Sequence, residues 1–204
     1  KMAYWVAYPL CNYYTTKNVK RTNAWAYDPS LSSEEQATMK RGLAGFDRGH
    51  QIPSADRLVT REANEQTFYY TNMTPQIGKG MNQNIWQKLE TAVRGWSSNI
   101  DTLYVVTGAM PTTPENTTIS YTQDNDGKQI AVPKYYFKAL CRINRATGEA
   151  YTIAFKLENK AYPNNEPYMN HTLSVAELER MTGFVFFPMI REQDKQAYDK
   201  SKWN

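Results

Sequence analysis

The sequence predicts a single α/β (α+β) domain over residues 1–204, with a mainly antiparallel central sheet flanked by helices. Three observations predict it: strand-length segments joined in pairs by short turn sequences, an apolar run suited to an interior strand, and amphipathic helical patterns between them. At 204 residues, 41% hydrophobic and 22% charged, the chain is large enough for a substantial core and has the composition of an ordinary globular domain. No internal repeat, low-complexity tract or linker divides it.

Alternation at Tyr4, Val6 and Tyr8 predicts a strand within Lys1–Leu10, where aromatic residues and the lack of a small-residue cleavage pattern argue against a signal peptide. Ser32–Arg41 reads as a short helix, with Ser32 as N-cap and Glu34 and Glu35 in its first turn. Thr60–Tyr70 reads as helical. Met81–Trp96 is the clearest helix, with Ile85, Leu89, Val93 and Trp96 on one buried face. Leu103–Ala109 is a continuous apolar run, expected to form a central strand that Gly108 and Pro111 end.

Residues 111–127 are polar and turn-rich. Asp124, Asp126 and Gly127 resemble part of a calcium loop, but Thr122 would occupy the first ligand position and no Glu closes it, so a hairpin turn is expected. Lys134–Ile143 and Ala150–Leu157 flank Ala146-Thr147-Gly148 as a second hairpin. Ser174–Thr182 carries a capping box, Ser174 with Glu177, and Gly183 stops it.

A formal charge of +4 favours anionic partners, although the Lys and Arg residues are scattered rather than gathered into a tract. Fifteen tyrosines and five tryptophans offer stacking surfaces for bases, or simply core packing. No run approaches the roughly 18 apolar residues that cross a bilayer, so no membrane partner is expected. Cys11 and Cys141 lie in strand-like segments and would either pair, if the protein is exported, or stay as two buried thiols. Neither has a CxxC partner, which disfavours zinc.

Of the two histidines, His50 sits in Phe46-Asp47-Arg48-Gly49-His50-Gln51-Ile52-Pro53, where a strand end meets a loop. Its ordinary pKa of about 6.5 suits a general base near neutral pH, and Gly49 permits a close approach that a side chain would block. On the long helix, Glu90 lies about 80° around the axis from Asn82 and Arg94 about 40° further. Asn82, Glu90 and Arg94 thus form one polar edge, either functional or merely solvated.

Taken together, these segments resemble the DNA/RNA non-specific endonucleases of the ββα-metal superfamily. The resemblance rests on Asp47-Arg48-Gly49-His50, on Thr71-Asn72-Met73-Thr74-Pro75-Gln76, and on the Asn82–Glu90 helix with Arg94. It continues through Lys138 and Glu179-Arg180-Met181-Thr182-Gly183-Phe184. It implies the ββα-metal nuclease fold, with His50 as general base and Asn82 as the single protein ligand of one Mg²⁺, or of Mn²⁺ in its place. Glu90 would orient metal-bound water, Arg94 would contact phosphate, and Arg48 and Asn72 match further active-site positions. Arg21 is a looser match to a substrate-binding arginine. Asp47 is expected to fix the loop or a neighbouring cation. Two-metal chemistry is disfavoured, because Asp47 and Glu90 are too few carboxylates to bridge two ions.

The implied activity is sequence-independent hydrolysis of DNA and RNA, leaving 5′-phosphate and 3′-hydroxyl ends, with an inhibitor protein as a further partner. A binding module that kept the fold but lost catalysis is the alternative, and a phosphodiesterase of small nucleotides a third reading. A secreted or periplasmic location is expected, with a leader already removed, because an unrestrained nuclease endangers its host's own nucleic acid.

Overall fold

The computed structural model describes residues 2–98 and 100–203; Lys1, at the head of the expected first strand, lies outside them. The chain opens with β1 (Trp5–Leu10) and a single helical turn, α1 (Asn12–Thr15). A long irregular segment leads to β2 (Asp47–His50), then α2 (Arg61–Gln66) and β3 (Met73–Gln76). The chain kinks at Lys79 and Gly80, whose backbone is not helical, and a widely wound helical stretch over residues 81–86 then runs directly into α3 (Gln87–Ser97). Next come β4 (Leu103–Met110), the short β5 (Ser120–Gln123) and β6 (Gln129–Val132), the long β7 (Tyr135–Ile143) and β8 (Ala150–Glu158), and then β9 (Thr172–Leu173). Helices α4 (Val175–Thr182) and α5 (Glu192–Lys195) complete the fold.

Five strands form one antiparallel sheet in the order β1-β4-β7-β8-β9, while β2 with β3 and β5 with β6 form separate antiparallel ribbons. Alternation assigns the two faces. Tyr8, Leu10, Leu103, Val105, Tyr136 and Leu140 join Met81, Ile85, Leu89 and Val93 from the long helix in one core. Val106, Phe137, Ala139 and Ala154 point the other way, onto Val175 and Leu178 of α4. The apolar run at Leu103 is thus covered on both sides, although its neighbours are antiparallel.

Local signals predicted several elements well. Ser174 accepts from the Glu177 backbone while the Glu177 carboxylate accepts from that of Ser174, and Gly183 ends α4 at φ +73°. Gly127 and Gly148 take positive φ in the two hairpin turns. Asp124 uses its carboxylate on the backbone N–H groups of Asp126, Lys128 and Thr38, so the calcium-like residues lock a turn and dock the β5–β6 ribbon. Thr60 caps α2, but this helix stops at Gln66, short of the expected Tyr70.

The expected helix at Ser32–Arg41 does not form. Buried Gln36 binds the Asp28 backbone N–H and the carbonyls of Asp28, Leu31 and Ser32. Thr38 N–H goes to Asp124, and the Met39 and Lys40 carbonyls accept from Arg48. Tertiary partners claim the groups that a helix would have paired internally.

Candidate active site

The ribbon of β2 and β3, followed by the long helix, forms a ββα unit that carries most of the candidate residues. Gly49 is required by contact rather than by φ: a Cβ there would lie 2.3 Å from Gln76 Oε1 and 2.7 Å from Gln76 Cβ. Buried Asn72 donates to the carbonyls of Ile52 and Thr67 and accepts from Ile52 N–H, while its own carbonyl receives Gln51 N–H. Its amide is therefore occupied in fixing the loop that follows His50.

His50 is enclosed by aromatic rings, with centroids of Phe68 at 5.1 Å and Trp25 at 5.6 Å. Its Nε2 is buried and has no hydrogen-bond partner, which leaves Nδ1 to donate to the Arg48 backbone. Burial, reinforced by the positive charge of Arg21, pushes the imidazole pKa down to about 3, against the opposing pull of that backbone bond. The ring is therefore neutral well below the range expected from its sequence, with a free lone pair on Nε2.

Arg48 and Arg21 flank this ring. The Arg48 guanidinium lies 3.4 Å over Trp25 and donates through one nitrogen to Met39 and Lys40 carbonyls. Arg21 lies 4.7 Å over Phe68 and donates to Asn23 Oδ1 and Ser54 Oγ. Each keeps one terminal nitrogen without an acceptor among the described residues, free for a phosphate oxygen.

Asn82 stands where the wide winding begins, its backbone N–H bonding the carbonyl of Ile77 five residues back. That winding shifts Asn82 from the 100° spacing assumed for a regular helix. Its Nδ2 donates to Asp47 Oδ2 at 2.9 Å, and Gln83 Nε2 shares the same oxygen at 2.8 Å. Asp47 is thus the link between Asn82 and β2; no hydrogen bond joins Asn82 to His50 or Glu90 among the described residues. The start of this helix is seated on the chain after β8. Gly80, at φ +83°, receives Tyr162 N–H, and a Cβ there would meet Ala161 and Tyr162 at 2.9 Å. Asn159 bonds Ile77 N–H and the carbonyls of Pro75 and Pro133.

Deeper in the molecule, Glu90 of α3 faces Lys138, Asp56, Arg94 and Arg21. Burial pushes its carboxyl up to about 7, with Lys138 as the main opposing influence, and it accepts no hydrogen bond from a described residue. Arg94 pairs with buried Asp56 at 2.8 Å, and Tyr8 donates to the other oxygen of Asp56 at 2.9 Å. Fully buried Lys138 donates to Thr107 Oγ1 and sits 4.7 Å over the Trp86 ring; burial lowers its pKa.

The structure therefore groups His50, Arg48, Arg21, Glu90 and Arg94, brings Asn82 in through Asp47, and places Asn72 behind them as a clamp. Sequence reasoning offered Trp25 only as one of several stacking or packing surfaces and Tyr8 only as a strand residue, and gave no role to Phe68 or Asp56; their partners here lie 18 to 48 positions away and leave no local signature. An apolar groove of about 580 Å³, lined by residues including Trp5, Tyr104, Phe187 and Met189, contains none of the seven candidates. Cys11 and Cys141 are both free thiols.

Comparison with known proteins bears on the fold and the family. A chain in the crystal structure of the EndoG/EndoGI complex superposes with a TM-score of 0.77 at 23% identity, covering 97% of this chain and 82% of that one. The fold is that of the ββα-metal nucleases. The sequence matches the DNA/RNA non-specific endonuclease family over residues 1–193, and the chain belongs to that family. Its relatives include nuclease C1 of Cunninghamella echinulata var. echinulata, 32% identical across 80% of this chain and 66% of the relative. The mitochondrial nuclease of Saccharomyces cerevisiae is 28% identical, across 90% and 59%. Mitochondrial endonuclease G of Homo sapiens is 30% identical, across 80% and 56%. The chain spans about half to two thirds of the length of the relatives it matches.

These relatives correct the expectation of a secreted or periplasmic protein, since several are mitochondrial by name. The argument for export required only separation from the host's main nucleic acid. A membrane-bounded organelle also provides that.

Proposed function

We propose that residues 1–204 form one catalytic unit, a metal-dependent nuclease that hydrolyses phosphodiester bonds of DNA and RNA without regard to sequence. The observation that carries this reading is the buried, unpartnered Nε2 of His50, set between Trp25 and Phe68 beside two arginines with free donors. In the proposed reaction His50 Nε2 takes a proton from water as its oxygen attacks phosphorus, and the bond to the 3′ oxygen breaks. A 5′-phosphate and a 3′-hydroxyl result. Arg48, Arg21 and Arg94 hold the phosphate oxygens, and because these contacts carry little base information, binding is indifferent to sequence.

The donor set fits a single hard cation. Asp47 holds the Asn82 amide nitrogen, which leaves Oδ1 to face a ligand, and Glu90 has unused carboxylate oxygens. Asn82 would hold Mg²⁺, with Mn²⁺ as the alternative, and Glu90 would orient its water. When bound, such an ion stabilises negative charge on the phosphate and the departing oxygen. No group of three or more His, Cys, Asp or Glu able to hold a metal occurs among the described residues.

Because the fold neighbour was crystallised as an EndoG/EndoGI complex, an inhibitor protein is a partner to seek here as well. The test of the whole reading is nicking of supercoiled plasmid and degradation of RNA, with and without chelator. His50→Ala should lower turnover by at least about 100-fold. Full activity in excess chelator would refute metal dependence, and binding without cleavage would identify an inactive module.

A further inference from the structure

We propose that Trp25 and Phe68 are positioning residues for this hydrolysis: together they form an aromatic wedge that holds His50, Arg48 and Arg21 at fixed spacing. The inference rests on the nuclease reading above and extends it to two side chains that carry no charge or proton of their own.

Three rings form a closed triangle. Trp25 and Phe68 meet at 4.8 Å and 85°, and each also approaches His50 edge to face, at 5.6 Å and 5.1 Å. One bond to the Arg48 backbone restrains the imidazole at Nδ1 alone, and the two aromatic walls limit the motion that remains at the Nε2 edge. The same rings carry the cations: the face of Trp25 bears Arg48 at 3.4 Å, and that of Phe68 bears Arg21 at 4.7 Å. Ordinary core packing would cover the Trp25 face with hydrocarbon. Here a guanidinium covers it, next to an imidazole whose Nε2 lacks a partner.

The backbone ties the wedge into one unit although its members are far apart in sequence. Ala26 bridges Tyr69 in parallel, with Ala26 N–H on the Phe68 carbonyl and Tyr70 N–H on the Ala26 carbonyl. Asn23, at φ +52°, turns the chain between Arg21 and Trp25 and holds the Arg21 Nε with its own side chain. Asparagine tolerates that left-handed conformation better than most residues. Each arginine side chain has several rotatable bonds, and stacking restricts them before substrate arrives. The energetic return is in geometry, because a misplacement near 1 Å at a reacting centre costs on the order of 100-fold in rate.

The test compares Trp25→Leu and Trp25→Phe by steady-state kinetics on plasmid, with thermal melting of each variant. Trp25→Leu should lower kcat roughly 10- to 100-fold with KM changed far less, since binding survives while alignment is lost. Trp25→Phe keeps a ring for His50 and Arg48 and should recover most of that loss. Phe68→Leu, which keeps the position apolar but removes the ring, should show the same split and serves if Trp25→Leu does not fold. Wild-type kcat in Trp25→Leu, or losses in both Trp25 variants that merely follow lowered melting temperatures, would overturn the wedge. Run alongside, wild type and His50→Ala separate the two ideas: if wild type binds but cuts neither plasmid nor RNA the nuclease reading fails; if His50→Ala stays active the base assignment fails and the wedge with it; and if His50→Ala is dead while Trp25→Leu is normal, only the wedge fails.

Discussion

Asp47 Oδ2 accepts both the Asn82 and the Gln83 side-chain amides, at 2.9 Å and 2.8 Å, so the strand that carries the candidate base also sets the orientation of the candidate metal ligand. A carboxylate accepts but cannot donate, which makes the Asn82 amide nitrogen face Asp47 and the oxygen face away. Asp47→Ala should therefore raise the metal concentration needed for cleavage, or lower activity, by about 10- to 100-fold. Metal titrations of plasmid nicking measure this. An unchanged requirement would show that Asn82 holds its orientation unaided.

Two perturbed titrating groups should leave opposite marks on stability in metal-free buffer. His50 is lowered from 6.5 to about 3 by burial, so the unfolded chain gains a proton that the folded one refuses, and stability is lost as pH falls below 6.5. Glu90 is raised from 4.5 to about 7, also by burial, so the folded state holds the extra proton and its contribution declines as pH rises through about 7. Relative to wild type, His50→Gln should gain stability towards pH 5 and Glu90→Gln towards pH 8. Melting curves across that range test both, and parallel curves for either variant would count against burial as the cause.

Asp56 satisfies Tyr8 and Arg94 from inside the protein. Asp56→Ala strands a buried hydroxyl and a partly buried cation, and should cost about 3 kcal/mol in urea unfolding. Tyr8→Phe removes one bond to a charged acceptor and should cost about 2 kcal/mol. Because they share a network, the double variant should cost less than the sum. Full additivity would mean that the pair acts independently.

Burial pushes the Cys141 thiol up to about 12, whereas Cys11 is only partly buried. Maleimide should label one thiol per native chain and two after denaturation, with no change in melting on adding reductant. Loss of both native thiols under non-reducing conditions would reveal a disulfide.

What the sequence disclosed depended on how local each cause was. The Ser174–Glu177 capping box and the hairpins at Gly127 and Gly148 could be read directly, since the residues that make those turns are neighbours. The Asp47–His50 and Asn82–Arg94 segments stood out by residue type. Ser32–Arg41 misled because Gln36, Asp124 and Arg48 claim its backbone groups from elsewhere in the fold. The wide winding before Gln87 also escaped a reading based on regular 100° spacing. Lys138 was noticed through resemblance alone, and nothing near it in sequence announces that it lies beneath Glu90.

The seat for the helix start, where Gly80 presses against Ala161 and Tyr162 and Asn159 ties down Ile77, works as a length gauge. The hairpin loop at Ala146-Thr147-Gly148 can gain residues without consequence for the chemistry, since it only projects from the sheet. Between Glu158 and Tyr162 a single inserted residue would slide the abutment along the helix and carry Asn82 out of step with His50, although neither residue had changed. The length of this stretch, together with the Asn159 amide that pins it, is therefore the constraint a designer altering this scaffold would have to respect.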